Sequence, residues 1–184
     1  VVTTTSGSTT QVTGVTTINF QSGCGYSSCT GNFQIVSNST STYARPVGSD
    51  GNYLTVPNPS SNGSATFGLG TAANYFGLLW GSLDTYNSIT FLMGNSVVAS
   101  YTGTQIAALL GLNANGNQQN PSSNAYINFF FGNQLFNRVR LTSTNYAFES
   151  DNPAFGANVP EPGALALFGI GLAGLALRRR RKTA

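Results

Sequence analysis

The sequence predicts a mainly β chain, an antiparallel β-sandwich of jelly-roll type, followed by a single C-terminal transmembrane helix. Three observations lead there. Short segments rich in β-branched and aromatic residues recur about every ten positions from Val12 onward, separated by Gly, Pro, Asn and Ser clusters. Helical periodicity is nearly absent ahead of Pro160. The chain then closes on an uncharged apolar run, 163–177, ended by Arg178, Arg179, Arg180, Arg181 and Lys182.

Residues 1–11 are Ser/Thr-rich and read as a flexible lead-in. The domain proper is expected over 12–150. Its first strands fall at 12–20, 32–36, 41–47, 52–56 and 64–69, with turn clusters such as PNPSSNG between them. Tyr75, Phe76, Leu78, Leu79 and Trp80 form an almost continuous apolar run, which predicts a strand buried on both faces. Segments 89–93 and 96–102 then read as a hairpin over Gly94 and Asn95. One helix is expected ahead of the tail, at 103–111, with Thr104 as its candidate cap. After a polar loop at 113–124, segments 125–131, 138–142 and 146–149 complete ten or so strands, and two packed sheets bury them most economically. Residues 151–159 read as a linker, and 160–184 as a membrane-directed tail.

Composition narrows the function. Five of the eight Lys and Arg residues lie in the tail, which leaves Arg45, Arg138 and Arg140 against Asp50, Asp84, Glu149, Asp151 and Glu161. No basic patch for nucleic acid exists. Charged residues make up 7% of the chain, well short of the quarter or so of an ordinary soluble enzyme, while hydroxyl and amide side chains abound. That balance suits an extracellular β-domain among polysaccharides. The chain opens VVTTTSGSTT, and an external domain needs export, so a signal peptide is expected in the precursor.

Chemistry is scarce. With no histidine, a Ser-His-Asp triad and a histidine-bound metal are both unavailable, and the few acids ahead of the tail are a thin basis for a glycosidase pair. A non-catalytic role and no cofactor are expected. Cys24 and Cys29, with four residues between them, suit a small-loop disulfide in an exported chain better than a metal or redox site. Asp84, Asn87, Glu149 and Asp151 supply the oxygen ligands that a structural calcium would take. The plainer reading of the same residues is turn chemistry.

The tail carries the most specific pattern. An apolar run closed by basic residues is a membrane stop, because the basic block is costly to draw through hydrocarbon. At 15 residues it reaches about 22 Å as a helix, a short span that suits a temporary anchor. Gly169, Gly171 and Gly174 match a dinucleotide fingerprint as text, but no acidic residue follows and no nucleotide site is implied. Pro160, Glu161 and Pro162 directly precede the run, and two prolines around one residue favour an extended, accessible backbone. This order of tripeptide, apolar run and arginine cluster resembles the PEP-CTERM sorting signal of exported Gram-negative proteins. The resemblance implies transient anchoring in the inner membrane and cleavage by an exosortase. It also implies recognition at Pro160, Glu161 and Pro162, retention through Arg178 to Arg181, and delivery to the cell surface or matrix.

Three readings of the domain follow: a non-catalytic surface or biofilm-matrix protein among exopolysaccharide, a carbohydrate-binding module, or a self-associating fibre subunit built through edge strands. Stacking tyrosines on one exposed face, with Tyr43, Tyr53, Tyr86 and Tyr101 as candidates, would favour the second.

Overall fold

A computed structural model describes residues 1–163. Twelve strands, β1 (Val2–Thr5), β2 (Thr16–Thr17), β3 (Ser28–Gly31), β4 (Gln34–Val36), β5 (Tyr53–Val56), β6 (Gly63–Ala73), β7 (Tyr75–Gly81), β8 (Asn87–Met93), β9 (Ser96–Thr102), β10 (Ala125–Phe130), β11 (Phe136–Ser143) and β12 (Phe148–Gly156), form two antiparallel sheets. One runs β1-β10-β7-β12-β5-β4 with β2 added to β12, and the other runs β3-β6-β11-β8-β9. Within them β10-β7-β12-β5 stands against β6-β11-β8-β9, so from β5 to β12 the chain changes sheet at every step except the β8–β9 hairpin, as in a jelly roll.

The expected double-sided strand is β7, every residue of which is buried. Phe76, Leu78 and Trp80 point inward to meet Phe67, Phe91, Val139 and Leu141 of the facing sheet. The alternate residue Tyr75 points outward, into a smaller cluster with Phe130, Ala154 and Val159. Trp80 stacks on Phe148 at 4.1 Å between ring centroids. The hairpin also forms as expected, Met93 opposite Ser96, with Gly94 at φ +59 supplying the turn conformation that other residues resist.

The helix is α1 (Gly103–Leu110). Its cap is Thr102 rather than Thr104, because Thr102 and Gln105 satisfy each other's backbone N–H groups in a capping box, and Gly111 closes the helix at φ +67.

Four stretches depart from expectation. The lead-in 1–11 contains β1, paired with β10 from Val2 opposite Phe129 to Thr5 opposite Tyr126, so it is part of the sheet. The expected linker 151–159 is mostly the second half of β12, which continues along β7 after a bulge between Asp151 and Ala154. Segment 41–47 is a covering loop that pairs with no strand: the N–H groups of Ala44, Arg45 and Val47 go to Glu149, Ser39 and Asn124 side chains instead. Of 12–20 only Thr16–Thr17 pairs as a strand. The predicted transmembrane helix and Arg178 to Arg181 lie outside the described residues, among which no helix is long and apolar enough to cross a membrane.

Phe91 is the hub of the interior, its ring meeting those of Phe76, Phe129, Phe131 and Phe136. Phe91→Ala is expected to cost about 3–5 kcal/mol in urea unfolding, whereas exposed Leu109→Ala on α1 should stay within about 0.5 kcal/mol.

Candidate functional site

The end of the domain is fastened by one side chain. Asn74 is the single residue joining β6 to β7, and it is buried. Its Nδ2 donates to the carbonyls of Gly132 at 2.7 Å and Val159 at 3.0 Å, while its Oδ1 accepts from Val159 N–H at 3.0 Å. Its own N–H donates to Gly156 O, and its carbonyl accepts from Phe131 N–H. Both polar backbone groups of Val159 are therefore satisfied inside the fold, and its side chain packs on Tyr75 and Phe130. The next residue is Pro160.

Around the tripeptide the surface is concave. A cavity of about 690 Å³ is lined by Asn74, Gly132, Asn133, Leu135, Asn158 and Glu161, among others. Pro160 and Pro162 are exposed, and Glu161 is half-buried beside Gly132. Pro162 and Gly163 already have helical geometry, so the expected extended backbone stops at Glu161. A proline suits a first helical turn, where its missing N–H is not needed.

Three of the four calcium candidates have side chains engaged by the protein itself. Glu149 accepts from Ala44 N–H at 2.9 Å and Ser82 O–H at 2.6 Å. Asp151 accepts from Ser49 O–H and Asn152 N–H, both at 2.7 Å. Asn87 accepts from Ser143 O–H and donates to Ala147 O. Asp84 sits in the turn before β8, its backbone bridged to Asn115. Among the described residues no three acidic, thiol or imidazole groups gather around a common point that could hold a metal ion. The turn-chemistry reading fits these partners: Glu149 and Asp151 latch the loop carrying Ala44 and Ser49 over the outer face of the sheet. Burial pushes the Glu149 carboxyl up to about 7, against the pull of its Ser82 and Ala44 bonds. Burial raises Asp84 and Asp151 as well.

Cys24 and Cys29 are joined as a disulfide. Between them Tyr26 lies against Phe67 at 4.9 Å, so the staple holds a ring at the mouth of the core. The tyrosines proposed for stacking do not form an open platform. Tyr53 is fully buried, Tyr43 packs on it, Tyr101 packs on Phe129, and Tyr86 donates its hydroxyl to Tyr146 O. A second cavity, about 470 Å³, is lined by uncharged groups including Thr9, Thr10, Thr17, Asn19 and Ser22.

Asn74, Ser82 and Ser49 were not singled out from the sequence. Each reads locally as a turn residue, and nothing near it in the chain points to its distant partner.

The β-domain thus ends on a clamped residue directly before Pro-Glu-Pro, the tripeptide expected to begin a sorting address. The address is identified by a family model described as the PEP-CTERM protein-sorting motif, which matches residues 158–181. No curated protein matches the chain. Among solved structures, CsCBM6-3 from Clostridium stercorarium in complex with cellobiose is similar at 14% identity and a TM-score of 0.43, over 78% of this chain and 94% of that one. CpGH89CBM32-6 from Clostridium perfringens is similar at 13% identity and a TM-score of 0.36, over 70% and 94%.

Two outcomes are expected here. Because the Glu149 carboxyl titrates at about 7 when folded and at about 4.5 when free, its contribution is fully present below pH 4.5 and is lost as pH rises through 7. Thermal midpoints should therefore fall between pH 5 and pH 8, and Glu149→Gln, whose Oε1 can accept from Ala44 N–H while its Nε2 donates to the Ser82 hydroxyl, should flatten that slope. Asn74→Ala strands the backbone groups of Val159 and is expected to cost about 1–3 kcal/mol. Limited proteolysis should then cut within 157–163 faster than in the parent chain.

Proposed function

We propose that this chain is a non-catalytic exported protein, held at the inner membrane by its C-terminal segment until an exosortase cuts near Pro-Glu-Pro. The released domain then resides at the cell surface or in the exopolysaccharide matrix. One observation carries the reading: the sorting motif begins at residue 158, where the β-domain's own hydrogen bonding ends at Val159. Fold and address share only Asn158 and Val159.

The non-catalytic part rests on chemistry. The chain has no histidine, and three of its buried polar side chains with catalytic potential, Glu149, Asp151 and Asn87, are each engaged by internal donors. The matrix part rests on a surface rich in Ser, Thr and Asn with 7% charged residues, which offers hydrogen bonds to sugar hydroxyls without strong fields.

Intact mass of the protein recovered from cells making an exosortase checks this directly. A chain ending near Pro162 is expected. Pro160→Ala together with Pro162→Ala should leave the chain at full length in the membrane fraction. Recovery of the parent protein with its arginines still attached would mean a permanent anchor.

A further inference from the structure

We infer that the end of the sandwich from which the chain leaves is a membrane-facing surface, resting on the lipid headgroups while the tail is anchored. The inference depends on the anchoring proposed above and adds which face of the domain meets the bilayer.

Strand directions bring four features to that end. Tyr75, Phe130 and Gly156 lie side by side where β7 begins and β10 and β12 finish. In the facing sheet β6 finishes and β11 begins at the same level, Ala73 opposite Phe136, because Asn74 alone joins β6 to β7. The tip of the β8–β9 hairpin sits there too, with Gly94 N–H donating to Asn137 and Arg138 reaching Asn95 at 3.0 Å. The loop 131–135 completes it.

Exposed apolar side chains concentrate on this end. Among the described residues the large hydrophobics left exposed are Val1, Val47, Met93, Val97, Leu109 and Leu135. Met93 and Val97 flank the hairpin tip, Leu135 lies on the 131–135 loop, and Val1 precedes β1, its backbone hydrogen-bonded to Phe130. Exposed Asn95, Ser96 and Asn133 stand among them, and the Arg138 guanidinium is at hand for lipid phosphate. Apolar tips set in amides with a cation nearby suit the headgroup region, where apolar and polar groups meet.

Chain length makes this end the one that reaches lipid. Val159 is fixed to the fold by Asn74, and the apolar run starts at Gly163. Only Pro160, Glu161 and Pro162 lie between, at most about 10 Å of chain. A domain on so short a stalk cannot turn its far end to the bilayer. Four side chains would hold a free domain on lipid only weakly, but the tether raises their local concentration at the surface.

The test uses the full chain in vesicles of phosphatidylcholine and phosphatidylglycerol. Val97→Cys, Leu135→Cys and, at the opposite end, Leu109→Cys each carry an environment-sensitive fluorophore, with Cys24 and Cys29 tied up as the disulfide. Flotation reports whether the chain is anchored. The expected result is flotation of all three, with a blue shift and quenching by headgroup-labelled lipid at positions 97 and 135 and neither at 109. If all three float and positions 97 and 135 behave like 109, the surface assignment is overturned and anchoring stands. Should the chain fail to float, anchoring itself is wrong and the surface falls with it.

Discussion

Burial of β7 on both faces is the constraint that the rest of the molecule serves. A strand in an antiparallel sandwich ordinarily shows one face to the core and the other to water. Here the inner face meets the β6-β11-β8-β9 sheet, while the outer face has to be covered by segments without regular structure. Two do the covering. Residues after β1 bring Val12 and Val15 onto Tyr75, Phe130 and Ala154, with Thr10 hydrogen-bonded to the Tyr75 hydroxyl at 2.6 Å. The loop before β5 lays Ala44 and Pro46 over Glu149 and Gly81. Irregular backbone laid on a sheet needs partners for its N–H groups, and buried carboxylates and amides provide them.

That requirement explains why two of the three buried acids, Glu149 and Asp151, are buried in a chain so poor in charge. Glu149 lies where no lysine or arginine answers it, so it accepts from Ala44 and Ser82 and its carboxyl rises toward the protonated form. A protonated carboxyl still accepts from the Ala44 amide and can give its proton to the Ser82 hydroxyl. The latch therefore closes in either state, at different cost. Burying the charged form without a counter-charge is the expensive case.

What the sequence conveyed follows from where the signal resides. β7 was legible because five large apolar residues interrupted only by Gly77 leave no solvent face, and the hairpin because Gly94-Asn95 separates two β-rich runs by two residues. The disulfide needed only two cysteines in an exported context. The sorting tripeptide was legible because its pattern is local. By contrast β1 is a run of threonines, which read as a loose lead-in although their β-branching suits the strand that Asn128 and Thr5 secure across it at 2.6 Å. β12 was cut short at Glu149 because Asp151, Asn152 and Pro153 look like a turn. They are a bulge, with Asn152 at φ +48 and the Pro153 carbonyl accepting from Ile18. Asn74 was invisible for a different reason: a turn asparagine and a clamp on a residue 85 positions away are the same letter.

The clamp also explains how the sorting motif can follow the fold without a spacer. Every hydrogen bond that closes the domain is made by Val159 or earlier; among the described residues none involves the backbone of 160–163. Pro160 and Pro162 reinforce that boundary, because neither has an N–H to extend β12 or to join a neighbouring edge. A cut beyond the clamp thus removes no bond on which the sandwich depends. A cut before it would free Val159 from Tyr75 and Phe130 and leave the Asn74 amide buried with only Gly132 as partner. Stability of the domain and accessibility of the Pro-Glu-Pro tripeptide are separated at one peptide bond, between Val159 and Pro160, and Asn74 is what fixes the separation there.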